Sequence, residues 1–332
     1  MLVKGNASGR RNNILQSVKD ASSSISMMRL TGAVLVFCCI IDFTFKPKHL
    51  HSLRAAVADS TNVLDATKHK NNVSLLDLPL SVKDVAINVG SNIDPIMLAD
   101  KKYGPCAHNI AVEPIVANKI PFHRQLSVLP AAVSSNPGVM SMRIYNVNGV
   151  SSSLAKPAMT DFWNSKESRG DGRLVIVPVI TLSSLLNSIP KRINVAFLMT
   201  DIQGYDFMAI KEAKNTLKER VTHIMTEVWY DDVYTYSGVH NDLCRDWLPL
   251  MTEMGYTLVK TAYEDDMEKL KARCEKQLKE NPQRPSGKEN AGLSEDNAYW
   301  VRNDVVEQPF PGVVSVQKYD PGYVEEEYKT CV

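Results

Sequence analysis

Between residues 82 and 303 short apolar runs alternate with amphipathic stretches, the pattern of strands and helices taking turns. The first run places Val85, Ile87 and Val89 at every second position and ends in a turn at Gly90-Ser91-Asn92. Asp94 and Pro95 read as an N-cap and a first helical residue, so the first helix is expected over residues 93–103. Residues 109–113 form a second strand that ends on Glu113, and residues 126–133 a third. A turn at Asn136-Pro137-Gly138 leads into a β-like stretch, residues 140–146. Residues 174–180 make another strand, in which Pro178 argues for an edge or bulge position. Thr181 then caps a short helix through Leu186.

Residues 194–201 read as a buried strand closing on Asp201, followed by a helix over residues 207–220 whose apolar stripe is Ile210, Ala213 and Leu217. The next strand, residues 221–230, carries Glu227 near its carboxyl end. A helix over residues 242–254 precedes a strand at 256–262, and residues 297–302 look like the antiparallel partner that ends the sheet. A β/α alternation closed by two adjacent strands predicts a mostly parallel sheet with one reversed strand. Residues 264–290, rich in Glu and Lys, read as an inserted solvated helix with a flexible tail. Residues 148–153 and 165–172 read as loops.

The flanks differ from this domain, residues 81–303. Residues 1–29 are polar and expected to be disordered. Residues 30–45 are apolar and read as a single-pass transmembrane signal anchor, with a cleaved signal or an organelle presequence as alternatives. Residues 46–80 form a polar stem whose Asn72-Val73-Ser74 sequon suits a lumenal placement, in the endoplasmic reticulum or Golgi. The tail from Asp304 to Val332 lacks periodicity and is expected to wrap the surface or be disordered.

Composition narrows the function classes. The 332 residues, 44% of them hydrophobic, suit one sizeable α/β domain with accessories. With 38 basic and 37 acidic residues there is no electrostatic case for nucleic acid. The six cysteines show no Cys-x-x-Cys or Cys/His ligand spacing, and no metal site is expected. A strand running through a glycine turn into a helix makes a ligand crevice at the carboxyl ends of the strands. Glu113, 23 residues beyond Gly90 and on the next strand, suits a carboxylate that accepts both hydroxyls of a ribose. A nucleoside-type cofactor is the expectation.

Five segments in order carry a resemblance. Val89-Gly-Ser-Asn-Ile93, Val112-Glu-Pro114, Thr181-Leu-Ser-Ser-Leu-Leu186, Leu198-Met-Thr-Asp-Ile-Gln-Gly-Tyr-Asp206 and Glu227 resemble the motifs of FkbM-type, S-adenosylmethionine-dependent methyltransferases. The resemblance covers residues 82–230, and more loosely to 303. It implies a Rossmann-like class I methyltransferase fold, a mostly parallel seven-stranded sheet with one antiparallel strand, and S-adenosyl-L-methionine as cofactor. The chain departs from the pattern at Asn88 (Asp in the family), Asp94 (Gly), Met199 (Lys) and Gln203 (Glu), the last two in the segment nearest the chemistry.

The resemblance implies cofactor contacts at Asn88, Gly90, Ser91, Asn92 and Glu113. Gly90 lets the backbone approach without a Cβ, Asn92 meets the methionine end and Glu113 the ribose. Asp201 is the first candidate for general base or acceptor orienter, with Asp206 and Glu227 behind it. The expected reaction is O-methylation of a hydroxyl on a sugar, glycan or small molecule. The alternatives are a catalytically silent Rossmann-like binding module and, against the absence of a three-glycine loop, an NAD-dependent oxidoreductase.

Overall fold

A computed structural model describes residues 76, 78–99, 103, 106–144, 152–156, 173–230, 236, 238–280, 282 and 295–319. The N-terminal tail, the anchor and most of the stem lie outside these residues. So do the loops at 148–151 and 165–172, the end of the charged insertion and the last residues of the tail. Among the described residues no helix is long and apolar enough to cross a membrane.

Seven strands form the central sheet. They are β1 (Asp84–Val89), β3 (His108–Val112), β4 (Leu126–Leu129), β8 (Asn194–Thr200), β9 (Val221–Trp229), β10 (Tyr256–Thr261) and β11 (Glu295–Arg302). Their order is β10-β11-β9-β8-β1-β3-β4. β1 pairs in parallel with β3 and β8, β3 with β4 and β8 with β9, while β11 runs antiparallel to both β9 and β10. The expected mostly parallel sheet with one reversed strand is therefore present. All five residues of β3 are buried, and so are all but one of β1 and of β9, as befits strands covered on both faces.

Helices cover one face. α1 (Leu182–Ser188) begins where Thr181 and Ser184 cap each other reciprocally, and buries Leu182, Leu185 and Leu186. The single helix expected at 207–220 is two, α2 (Asp206–Glu212) and α3 (Lys214–Arg220), interrupted at Ala213 (φ −86°, ψ 7°). The apolar stripe survives the break, since Ile210, Ala213 and Leu217 are all fully buried. Asp242 caps a π-helical turn, Leu243–Trp247, which passes into α4 (Leu248–Glu253). The charged insertion contains α5 (Met267–Glu280), less solvated than expected: Leu270, Cys274 and Gln277 are buried. A disulfide joins Cys274 to Cys244 of the π turn.

The other face departs from expectation. Residues 91–99 form no helix; instead residues 96–98 make a short strand, β2 (Ile96–Leu98), paired with β12 (Val313–Ser315) from the C-terminal tail. Two asparagines explain why. Asn88 Oδ1 accepts the Ile96 N–H and Asn109 Oδ1 the Leu98 N–H, so one edge of β2 is satisfied by side chains rising from the sheet. The other edge meets the tail, with Ala99 N–H on Gly312 O and Val316 N–H on Pro95 O. Asp94, expected to cap a helix, accepts from Gln317 N–H instead. Phe310, Val313 and Val316 pack over Phe197 and Met97 on this face, so this part of the tail wraps the surface.

A smaller three-stranded sheet, β5-β7-β6, comprises β5 (Ala132–Val133), β6 (Gly138–Arg143) and β7 (Leu174–Ile180). The strand expected at 126–133 is split at Pro130 between the two sheets, β4 joining the large one and β5 the small one. β7 is the middle strand rather than an edge, and its Pro178 stands opposite Val139.

Candidate active site

The carboxyl ends of β1, β3 and β8 meet at the glycine turn. Gly90 has φ +76°, and its N–H donates to Val112 O at 2.9 Å. Asp201 N–H donates to Val89 O at 3.0 Å, which draws β8 against the same turn. A Cβ built on Gly90 would lie 1.8 Å from the Asp201 carbonyl oxygen, so no other residue fits without a backbone shift. Asn92, also left-handed at φ +48°, donates its N–H to Glu113 Oε2 at 3.0 Å. Glu113 Oε1 accepts from Ile115 N–H at 2.7 Å and Val116 N–H at 3.2 Å.

Glu113 is thus the clasp between the two strand ends. A carboxylate offers about four lone-pair directions, and three of them are taken by backbone N–H groups. That leaves room for one ribose hydroxyl rather than the two expected from spacing. The Asn92 Oδ1 atom, by contrast, is buried with no hydrogen-bond partner.

An open cleft lies over this junction. Gly90, Asn92, Glu113, Asp201 and Gln203 form its polar side. Ala131, Ala132, Val133, Met142 and Leu154 form its apolar wall, contributed largely by the small sheet. Of the eight predicted site residues, four line the cleft: Gly90, Asn92, Glu113 and Asp201. The other four stand behind it. Asn88, expected at the cofactor, is buried and bonded to Ile96. Ser91 is buried and turns its hydroxyl to Asn92 O.

Behind Asp201 is a cluster of carboxyl groups. Asp206, the first residue of α2, is fully buried and accepts from Ile202 N–H at 3.1 Å and Gly204 N–H at 3.3 Å. Burial first, and the charge of Asp201 second, raise its pKa to about 7. Glu227 is also buried, accepting from Trp229 Nε1 at 2.8 Å. Burial holds it well above the ordinary carboxylate range, helped by Asp201, Asp206 and Glu295. Glu295, at the start of β11, is raised by burial and by Asp201. Neither Asp206 nor Glu227 lines the cleft, so both act, if at all, through Asp201 and its neighbours.

The residue that joins these groups was not among the predicted site residues. Gln203 Nε2 donates to Asp201 Oδ1 at 2.6 Å and to Glu227 Oε2 at 3.1 Å. Its Oε1 accepts from Tyr236 O–H at 2.9 Å and its backbone oxygen from Ser153 Oγ at 2.7 Å. In the sequence it stands out only as Gln where the resemblance places Glu, and nothing local announces Ser153 or Tyr236 as partners. Among the described residues no group of three His, Cys, Asp or Glu side chains is arranged to hold a metal ion.

The strand order and the single reversed strand define a mixed α/β protein with a large, mostly parallel sheet, and a cleft lies between the glycine turn and a strand-end acid at the carboxyl edge of that sheet. Residues 84–258, just over half of the chain, match the Methyltransferase FkbM domain, and the chain belongs to that family of methyltransferases. No curated protein matches it.

Proposed function

We propose that the protein transfers a methyl group from S-adenosyl-L-methionine to a hydroxyl of a sugar, glycan or small molecule. One observation carries the reading: a single cleft is lined by Gly90, Asn92 and Glu113, which suit a nucleoside, and by Asp201. The free Asn92 Oδ1 suits the ammonium of the methionine moiety, and Glu113 has one acceptor direction left for a ribose hydroxyl. When bound, the cofactor supplies an electrophilic methyl on a sulfonium. The chain's own part is alignment, exclusion of water by the apolar wall, and removal of the acceptor's proton. Asp201 Oδ1 is engaged by Gln203, so Oδ2 is the oxygen assigned to that proton.

The ionisable side chains on the cleft wall, among the described residues, are the carboxylates of Glu113 and Asp201. A negative wall repels phosphorylated or carboxylated acceptors and favours a neutral hydroxyl. The oxidoreductase reading loses support because β2 stands where a helix N-terminus would have to meet a pyrophosphate. The Cys244–Cys274 disulfide favours an oxidising compartment, in keeping with a lumenal domain.

The test is transfer of labelled methyl from S-adenosylmethionine to a cell extract, paired with calorimetry of cofactor binding. Glu113→Ala is expected to weaken cofactor binding roughly tenfold or more, since it strands three backbone donors at the glycine turn. Asp201→Asn is expected to leave binding within about threefold and to slow transfer about a hundredfold. A silent binding module would give no transfer by the wild type, and an oxidoreductase would bind NAD instead. Equal cofactor affinity in wild type and Glu113→Ala would sink the assignment of the nucleoside corner.

A further inference from the structure

Gln203 holds a backbone conformation that an L side chain rarely adopts, φ +54°, at a position no turn motif requires to be filled by glutamine. A left-handed non-glycine residue costs on the order of 1 kcal/mol or more and persists where its surroundings over-determine it. Here they do. Ser153 holds the backbone oxygen, Tyr236 the side-chain oxygen, and the side-chain nitrogen spans Asp201 and Glu227. The next residue reinforces the arrangement: a Cβ on Gly204 would lie 2.9 Å from the Tyr236 ring.

The orientation of the carboxamide follows from its partners. Turned over, it would aim Oε1 at two carboxyl groups and leave the Tyr236 hydroxyl facing an NH2. As placed, both N–H groups are used, one on each acid, and neither is left over. Glu227 also hydrogen-bonds Asp201 directly, so the bridge clamps two acids already in contact, with Asp206 and Glu295 close behind.

We propose that Gln203 is a positioning residue, whose carboxamide ties Asp201 to Glu227 and commits Asp201 Oδ1, leaving Oδ2 to receive the acceptor's proton. The role rests on the methyltransferase reading given above. The proton moves from the acceptor oxygen to Asp201 Oδ2 as that oxygen bonds to the methyl carbon and the sulfonium C–S bond breaks. Gln203 neither gains nor loses a proton. A carboxyl at this place, where the resemblance puts Glu, would remove both donors and add a further acid. The titratable groups around Asp201, among the described residues, are Asp206 from α2, Glu227 from β9, Glu295 from β11, and Tyr236 beyond the bridge.

Two variants test it. Gln203→Glu keeps the shape and loses the donors, while Gln203→Met keeps the length and has neither donor nor charge. Transfer of labelled methyl from S-adenosylmethionine to a cell extract is followed from pH 5 to 9, with calorimetry of S-adenosylmethionine at each pH. Gln203→Glu should move the acid limb of transfer upward by about one pH unit or more. Gln203→Met should slow transfer roughly tenfold at every pH. Both should bind S-adenosylmethionine within about threefold of wild type.

A third measurement does not depend on turnover: titration of carboxyl-13C-aspartate protein, with the Asp201 signal identified by its loss in Asp201→Asn. Its midpoint should rise in Gln203→Glu. A residue that only supports the fold would lower the melting temperature and leave both the pH limb and the Asp201 midpoint where they are, which overturns the proposal. If wild type transfers no label, the methyltransferase reading fails by itself, and a shifted or unshifted Asp201 midpoint still decides whether Gln203 controls that carboxyl group.

Discussion

At the Gly90 corner of the cleft one buried carboxylate, Glu113, is held by three backbone N–H groups. At the Asp201 corner, on the same strand ends, Asp201 and Glu227 are tied to one another through the side chain of Gln203. Backbone donors cannot move without moving the strands, so the first corner is a matter of geometry. Side-chain donors can be exchanged by mutation and their acids titrate, so the second corner is a matter of protons. The division suits a site in which one end must grip a constant ligand and the other must handle a proton.

The sharpest way to break this division is Gly90→Ala. The added Cβ would sit 1.8 Å from the Asp201 carbonyl oxygen, and the residue would be held at φ +76°. Relief requires β1 and β8 to part at the point where the corners join. A loss of about 2–4 kcal/mol is expected from the overlap and the left-handed backbone together. Thermal unfolding should show the loss and calorimetry should show no cofactor binding. Full binding by Gly90→Ala would mean that the turn is not the geometric corner described.

A smaller effect separates the corners by pH. The pKa of Asp206 is raised by burial and by Asp201 to about 7 in the folded protein, against 3.8 in the unfolded chain. Between these values the folded state keeps a proton that the unfolded state has released, so stability falls as pH rises from about 4 to about 7. Below and above that window Asp206 contributes no slope. The slope cannot exceed about 1.4 kcal/mol per pH unit for one group. Denaturant titrations at pH 5 and pH 7 should show higher stability at pH 5, and Asp206→Asn should flatten the difference. An unchanged slope in Asp206→Asn would move the titrating group elsewhere, with Glu227 the next to examine.

What the sequence revealed follows the same line. The central strands of the large sheet were legible because they are mostly buried apolar runs, and α1 because Thr181 and Ser184 announce a cap within four residues. Gly90 and Glu113 were legible because turn and strand end are local features. The segment after the glycine turn was not. Its Asp94-Pro95 start signal favours a helix, but Asn88, Asn109 and a tail strand more than 200 residues away take the N–H groups that a helix would have used. Pro130 divides what looked like one strand because its two halves find different sheets. The Gln203 bridge was hidden for a like reason: Ser153 and Tyr236 lie 50 residues before it and 33 after it, in stretches without periodicity.

The smallest expected effect concerns Met199, where the resemblance to the family places Lys two residues before Asp201. Along β8 successive side chains alternate faces, and Met199 packs with Phe197, Met225 and Tyr299 beneath the tail, away from the residues that line the cleft. Its register partner on β1 is Asn88, where the resemblance places Asp. Lys and Asp at these two positions would be neighbours on one face of the sheet, and this chain carries an uncharged pair there instead. The missing lysine is therefore a missing cross-strand ion pair, not a group withdrawn from the chemistry. Met199→Leu conserves volume and should cost less than about 1.5 kcal/mol. Calorimetry should give an unchanged S-adenosylmethionine affinity, and the pH profile of methyl transfer should overlay that of wild type. A variant of normal melting temperature with altered transfer would show that this face of the sheet does speak to Asp201, and that the two corners are not the whole of the site.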